Sequence, residues 1–108
     1  MWSQRRQVEK EGVFTTEQGY IIRLEMKSMK FPQPFHPEFP EGYKFRWIVY
    51  NVEDPKESVR IDNHRGKSLH FHIDDEQPGQ PLPWVSLETT RQFFLEKVYQ
   101  RFGYFGYE

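Results

Sequence analysis

Val59-Arg60-Ile61-Asp62-Asn63-His64-Arg65-Gly66-Lys67-Ser68-Leu69-His70-Phe71-His72-Ile73-Asp74 is the stretch from which the fold is read. Two alternating runs flank a polar break that contains Gly66, the pattern of two antiparallel strands joined by a turn. Successive side chains of a strand point to opposite faces. Val59 and Ile61 therefore share a face with Leu69, Phe71 and Ile73, and Arg60, Asp62, His70, His72 and Asp74 fall on the other. If the apolar rows share a core, the polar rows share an open face. Residues 59–76 also hold three of the four histidines.

Upstream, residues 43–52 carry β-branched and aromatic side chains at nearly every position. Tyr43, Phe45, Trp47 and Val49 line one face and Lys44, Arg46, Ile48 and Tyr50 the other, as in a central strand. Residues 51–57, with Asp54-Pro55, read as the turn into the 59–76 hairpin. Earlier still, residues 13–16 and 20–29 flank Gly19 as a second hairpin. Its second arm sets Tyr20, Ile22, Leu24 and Met26 against Ile21, Arg23, Glu25 and Lys27. Residues 31–42 place Pro32, Pro34, Pro37 and Pro40 among Phe31, Phe35 and Phe39, an extended connection anchored by aromatics; His36 within it reads as surface. Residues 1–11 are polar and charged and read as a short helical turn touching down through Trp2 and Val8.

Downstream, residues 77–84 (Pro78, Gly79, Pro81, Pro83) read as an irregular loop. Residues 86–102 are helical, with Ser86 as N-cap, Glu88 in the first turn, Lys97 and Arg101 near the end and Gly103 as C-cap. Leu87, Phe94, Leu95, Val98 and Phe102 form an apolar stripe at helical spacing. At about 1.5–3 kcal/mol for each buried large side chain, five of them contribute roughly 10 kcal/mol of gross burial, comparable to the whole net stability of a domain, about 5–15 kcal/mol. The helix must therefore lie on the sheet, with Arg91, Lys97 and Arg101 on its solvated side. The fold class is α+β: an antiparallel, mostly meandering sheet of about four to five strands with a C-terminal amphipathic helix across one face. The opposite face, bearing Arg46, Arg60, His70 and His72, is left at least partly open.

The chain of 108 residues reads as one domain, with residues 1–11 as a flexible end and 103–108 as a short aromatic tail that either packs back or meets a partner. There is no cysteine, which excludes disulfides, thiolate metal ligation and a cysteine nucleophile. No membrane-length apolar run or signal-peptide core is present, so the expected location is cytoplasmic, with no membrane association. A net charge of −1 argues against coating nucleic acid by bulk charge but leaves room for a local basic patch.

The strand Tyr43-Lys44-Phe45-Arg46-Trp47, then Arg60-x-Asp62-Asn63-His64, then a histidine-bearing strand and a C-terminal amphipathic helix together resemble the TumE-like family of toxin components of toxin–antitoxin systems. The likeness covers roughly residues 20–102. It implies a growth-inhibiting protein that acts on RNA and is neutralised by a cognate antitoxin carrying a DNA-binding domain. Asp62, Asn63 and His64 match the family's Asp-Asn followed by histidine, and His70 and His72 match its later histidine cluster. The chain departs from the pattern between them: the family has a longer loop rich in proline and histidine, where this chain has only His64-Arg65-Gly66-Lys67.

The polar face can be read in four ways. As a metal-independent endoribonuclease, it needs a base for the 2′-hydroxyl, an acid for the leaving oxygen and cations for the developing charge. His70 and His72, about 7 Å apart on one strand, suit the acid and base roles, with His64 beside them and Arg60 as a cationic fork. Arg46, Arg65 and Lys67 would hold phosphates and Tyr50 would stack a base; no cofactor is expected in this reading. The bland reading is an ordinary ion-pair ladder on a solvated sheet face, worth a few tenths of a kcal/mol per pair. A third reading is a metal site built from His70 and His72 with Asp74 or Asp62. A fourth is a non-enzymatic module that binds single-stranded nucleic acid or an acidic peptide on the same face.

Overall fold

The computed structural model describes residues 5–34, 36–64 and 66–106, with residues 5–9 described through their backbone alone. Six strands run in sequence order through a single antiparallel meander: β1 (Arg5–Thr15), β2 (Ile21–Lys30), β3 (Tyr43–Asn51), β4 (Asp54–His64), β5 (Lys67–Ile73) and β6 (Gln80–Pro81). The α-helix α1 (Leu87–Phe102) follows. The class is α+β as expected, and the sheet has more strands than the four to five anticipated.

The difference lies in two places, a longer β1 and an added β6. Within residues 1–11, expected as a helical turn, residues 5–11 instead supply most of β1, an edge strand laid along β2 from Arg5 opposite Lys30 to Thr15 opposite Ile21. Backbone pairing along β2 overrides the weak local preference of a charged segment, and the charged residues Lys10 and Glu11 are exposed there, as suits an edge. Trp2 lies outside the described residues. The loop expected at 77–84 contains β6, which pairs Pro81 with His70 and Gln80 with Phe71.

The register carries the periodicity of the sequence into two layers. Leu24, Val49, Val59 and Ile73 form one row across β2 to β5, and Met26, Trp47, Ile61 and Phe71 form the next. α1 lies over these rows, burying Phe94, Leu95, Val98 and Phe102 in one core with them. Its N-cap is Ser86, whose Oγ accepts from the Thr89 N–H at 3.0 Å. Gly103 ends it at φ 95°, a left-handed conformation that suits glycine. The tail packs back: the Glu17 N–H donates to the Tyr104 carbonyl at 2.8 Å, and Phe105 meets Phe14. Arg101, expected on the solvated side of the helix, reaches Asp74 at 3.0 Å and Glu57 at 3.3 Å and ties α1 to the sheet. Burial works against its charge, but hydrogen bonds to Asp74, Tyr20 and Glu57 outweigh it and hold its pKa above the usual arginine value.

Two features of β4 differ from the sequence reading. The turn expected over 51–57 is shorter, because β4 begins at Asp54. Pairing shifts from Ser58 opposite Tyr50 to Asp54 opposite Asn51. Pro55 therefore sits in a bulge, where its missing N–H breaks no ladder bond. At the other end the four-residue break narrows to two residues between His64 and Lys67, which pair, with Gly66 at φ 83°. Arg65 lies outside the described residues.

Asn63 is what allows β4 to run that far. It falls where pairing with β5 shifts, and its side chain turns the other way. Oδ1 accepts from the Phe45 N–H at 2.8 Å, while Nδ2 donates to the carbonyls of Glu38 at 2.8 Å and Tyr43 at 3.1 Å. One buried amide thus satisfies three backbone groups of the β2–β3 connection and of β3. Leaving such buried groups unpaired costs about 1–3 kcal/mol each. Asn63→Ala is expected to lower the unfolding free energy by roughly 2–4 kcal/mol, read as a reduced denaturant midpoint at unchanged slope.

Candidate functional site

The register that builds the core also builds the opposite face. Lys27, Arg46, Asp62 and His70 stand in one cross-strand row, and Glu25, Ile48, Arg60 and His72 in the next. The sequence pattern placed these residues on one side, and the pairing now sets Asp62 directly across from His70 and Arg60 directly across from His72.

This face is not open at its histidine end. His70 is 5% exposed and His72 3%. After β5 the chain turns through Asp74 and Asp75, both at left-handed φ (54° and 57°), which aspartate tolerates better than most residues. Asp74 pins that turn to β4: its N–H donates to the Ser58 carbonyl at 2.7 Å, and its Oδ1 accepts from the Ser58 N–H at 3.1 Å. Residues 76–79 then fold back across the two imidazoles before β6 rejoins β5. Gly79 lies so close that a Cβ there would fall 2.6 Å from His70 Cδ2 and 2.7 Å from His72 Nε2. Close approach, not backbone conformation, requires the glycine.

Both rings are held from behind. His70 Nδ1 is 2.8 Å from the Ser68 carbonyl, and His72 Nδ1 is 2.7 Å from the Glu76 carbonyl. A carbonyl only accepts, so each Nδ1 carries a proton, and Nε2 is the ring nitrogen left for other partners. The rings meet edge to face with centroids 4.9 Å apart. His70 Nε2 lies 2.7 Å from Asp62 Oδ1. That oxygen is nonetheless buried without a hydrogen-bond partner among the described residues. One ligand atom each from Asp62, His70 and His72 lies within 4.8 Å of the others.

Arg60 flanks this group, with Nε 3.4 Å from Asp62 Oδ2 and an Nη 3.7 Å from Asp75. On its other side Asp62 joins a cleft of about 280 Å³ lined by Lys27, Lys44, Arg46 and His64, with Asn63 and Phe45 at its floor. His64 and Arg46 are exposed, and the His64 and His70 rings are 6.3 Å apart. Beyond Lys27, the face continues as an ion-pair ladder of Glu25 with Arg23 and Lys27. The hydrogen bond from Arg23 holds the Glu25 carboxyl below its ordinary range, against an opposing effect of burial.

The expected site residues therefore divide. Arg60, His70 and His72 converge with Asp62, while Arg46 and His64 line the adjoining cleft. Tyr50 stands across from Ser58, a row beyond Arg60 and away from the cleft. Lys67 pairs with His64 at the exposed hairpin tip, and Arg65 is outside the described residues. Asp74, one of the two carboxylates weighed as a metal ligand, is committed to Ser58 and Arg101. Lys27 and Lys44 had been placed on strands without a role. Only the strand register, which alternation does not supply, brings them to Asp62. No protein-family model, curated protein or solved structure matches the chain.

Gly79→Ala is expected to lift the cover from the histidines at a cost of about 1–3 kcal/mol, typical of overpacking. Diethylpyrocarbonate labelling followed by peptide mass spectrometry checks this. In the unsubstituted protein His36 and His64 react and His70 and His72 are protected, and in the variant the protection is lost.

Proposed function

We propose that the chain is an RNA-directed, growth-inhibiting toxin component neutralised by a cognate antitoxin, with Asp62, His70 and His72 at its reacting centre. The single observation behind this reading is that Asp62 belongs to two structures at once. It faces the converging imidazoles on one side and a cleft lined by Lys27, Lys44 and Arg46 on the other. A polyanion whose phosphates rest against those cations brings one phosphodiester to the edge of the histidine pair. Arg60, fixed beside Asp62, is placed to meet charge that develops on a non-bridging oxygen. The cleft is short, so a few phosphate contacts fit it, in keeping with a chain whose overall charge is near balance.

The resemblance of the Arg60-x-Asp62-Asn63-His64 segment and the following histidines to TumE-like toxins supports the same reading from the sequence. An antitoxin that covers the cleft would silence the centre without altering the fold.

Induced expression with total-RNA electrophoresis tests the proposal. Wild type is expected to arrest growth and fragment RNA. Asp62→Asn and His70→Ala abolish both, and Lys44→Ala with Arg46→Ala weakens RNA binding at least about tenfold and flattens its salt dependence. Unimpaired growth with intact RNA on wild-type induction contradicts it.

A further inference from the structure

We infer that Asp62, His70 and His72 together bind one divalent first-row transition-metal ion of the kind that accepts imidazole nitrogen. The site is assigned from its own geometry, and it deepens the RNA reading only by supplying that reading's reacting centre.

Three observations carry it. Each imidazole spends its Nδ1–H on a backbone carbonyl, at 2.8 and 2.7 Å, and so holds its Nε2 in a fixed orientation, where the neutral ring offers a lone pair. That is the arrangement by which ligating histidines are oriented in metal sites. Next, Asp62 Oδ1 lies 2.7 Å from His70 Nε2 and is buried with no hydrogen-bond partner among the described residues. Two electron-pair donors held at that distance repel unless a cation lies between them. Last, one ligand atom from each of the three residues lies within 4.8 Å of the others. Bonds of about 2.0–2.2 Å to a shared ion space neighbouring ligands roughly 3–3.5 Å apart, so modest side-chain rotation closes the set.

A charged His70 paired with Asp62 is the competing explanation. It would satisfy His70 but leaves unexplained why His72 presents its own free Nε2 on the same side. The sheet makes the set rigid: Asp62 and His70 are cross-strand partners, and His72 follows His70 by one strand repeat. Two imidazoles and one carboxylate suit zinc, iron or manganese better than calcium or magnesium, which favour all-oxygen shells. Three protein ligands leave coordination positions free, as in catalytic rather than structural sites. A Cβ at Gly79 would fall 2.7 Å from His72 Nε2, so glycine there lets the loop close without placing a side chain against that nitrogen.

The test uses chelator-stripped full-length protein titrated with Co²⁺, followed by visible absorption, and with Zn²⁺, followed by calorimetry. One equivalent is expected to bind, with cobalt d–d bands showing nitrogen and oxygen ligation. His72→Ala and Asp62→Asn should each weaken binding at least about 100-fold, and His36→Ala and His64→Ala should leave it unchanged. Zinc should also raise the melting temperature of wild type but not of Asp62→Asn, which retains the shape of the site if His72→Ala folds poorly. No stoichiometric binding to wild type, or affinity unchanged in Asp62→Asn, or affinity lost with His64 instead, overturns the inference. Because no RNA is present, a metal-binding protein that leaves RNA intact sinks only the RNA reading. RNA cleavage that survives exhaustive chelation sinks only the metal centre.

Discussion

Asp62 stands directly across the β4–β5 ladder from His70, and most of what is distinctive in this protein depends on that pairing being held in register. A slip of one residue in that pairing would turn one strand over relative to the other, parting Asp62 from the histidines and bringing either Ile61 or Phe71 to the polar face. The register is secured from both sides of the sheet. On the apolar side, Val59 and Ile61 interlock with Trp47, Val49 and the helix residues Phe94 and Val98. At the end of β4 the Asn63 amide anchors the strand to the backbone of Phe45, Tyr43 and Glu38. The core and the site are thus two faces of one set of strand pairings.

The cover over the histidines follows from the same turn that ends β5. Asp74 binds Ser58 and Arg101, which places the Glu76 carbonyl where His72 Nδ1 can reach it. Removing the histidines from water changes what they can do. A solvent-facing imidazole exchanges protons freely, whereas a buried one with its rear nitrogen tied to a carbonyl presents a fixed lone pair to whatever lies in front of it. The electrostatics of the neighbouring cleft point the same way, because Lys27, Lys44 and Arg46 favour an anion next to the Asp62 carboxylate.

Alternation made the two sheet faces legible in the sequence, and Ser86, Gly103 and the apolar stripe marked the helix and its ends. The composition of the polar face was legible too, since period 2 puts Arg60, Asp62, His70 and His72 together without knowledge of pairing. What the sequence could not convey was depth. Whether His70 and His72 face water depends on where residues 74–79 travel, and proline and glycine there mark a turn without its direction. The role of Asn63 was hidden for a related reason: its partners Glu38, Tyr43 and Phe45 are 25, 20 and 18 residues away. The extension of β1 back from the expected 13–16 arm to Arg5 was not legible, because a charged edge strand owes its existence to its neighbour and not to its own pattern.

The most direct test of the Asp62, His70 and His72 centre is long-range ¹H–¹⁵N correlation of the histidine side chains during zinc titration. His70 and His72 should both carry their proton on Nδ1 in the zinc-bound state, with their Nε2 resonances moving together and saturating at one equivalent while His36 and His64 stay in place. Protonated Nε2 atoms in His70 and His72 throughout the titration, or zinc shifts confined to His36 and His64, would contradict it.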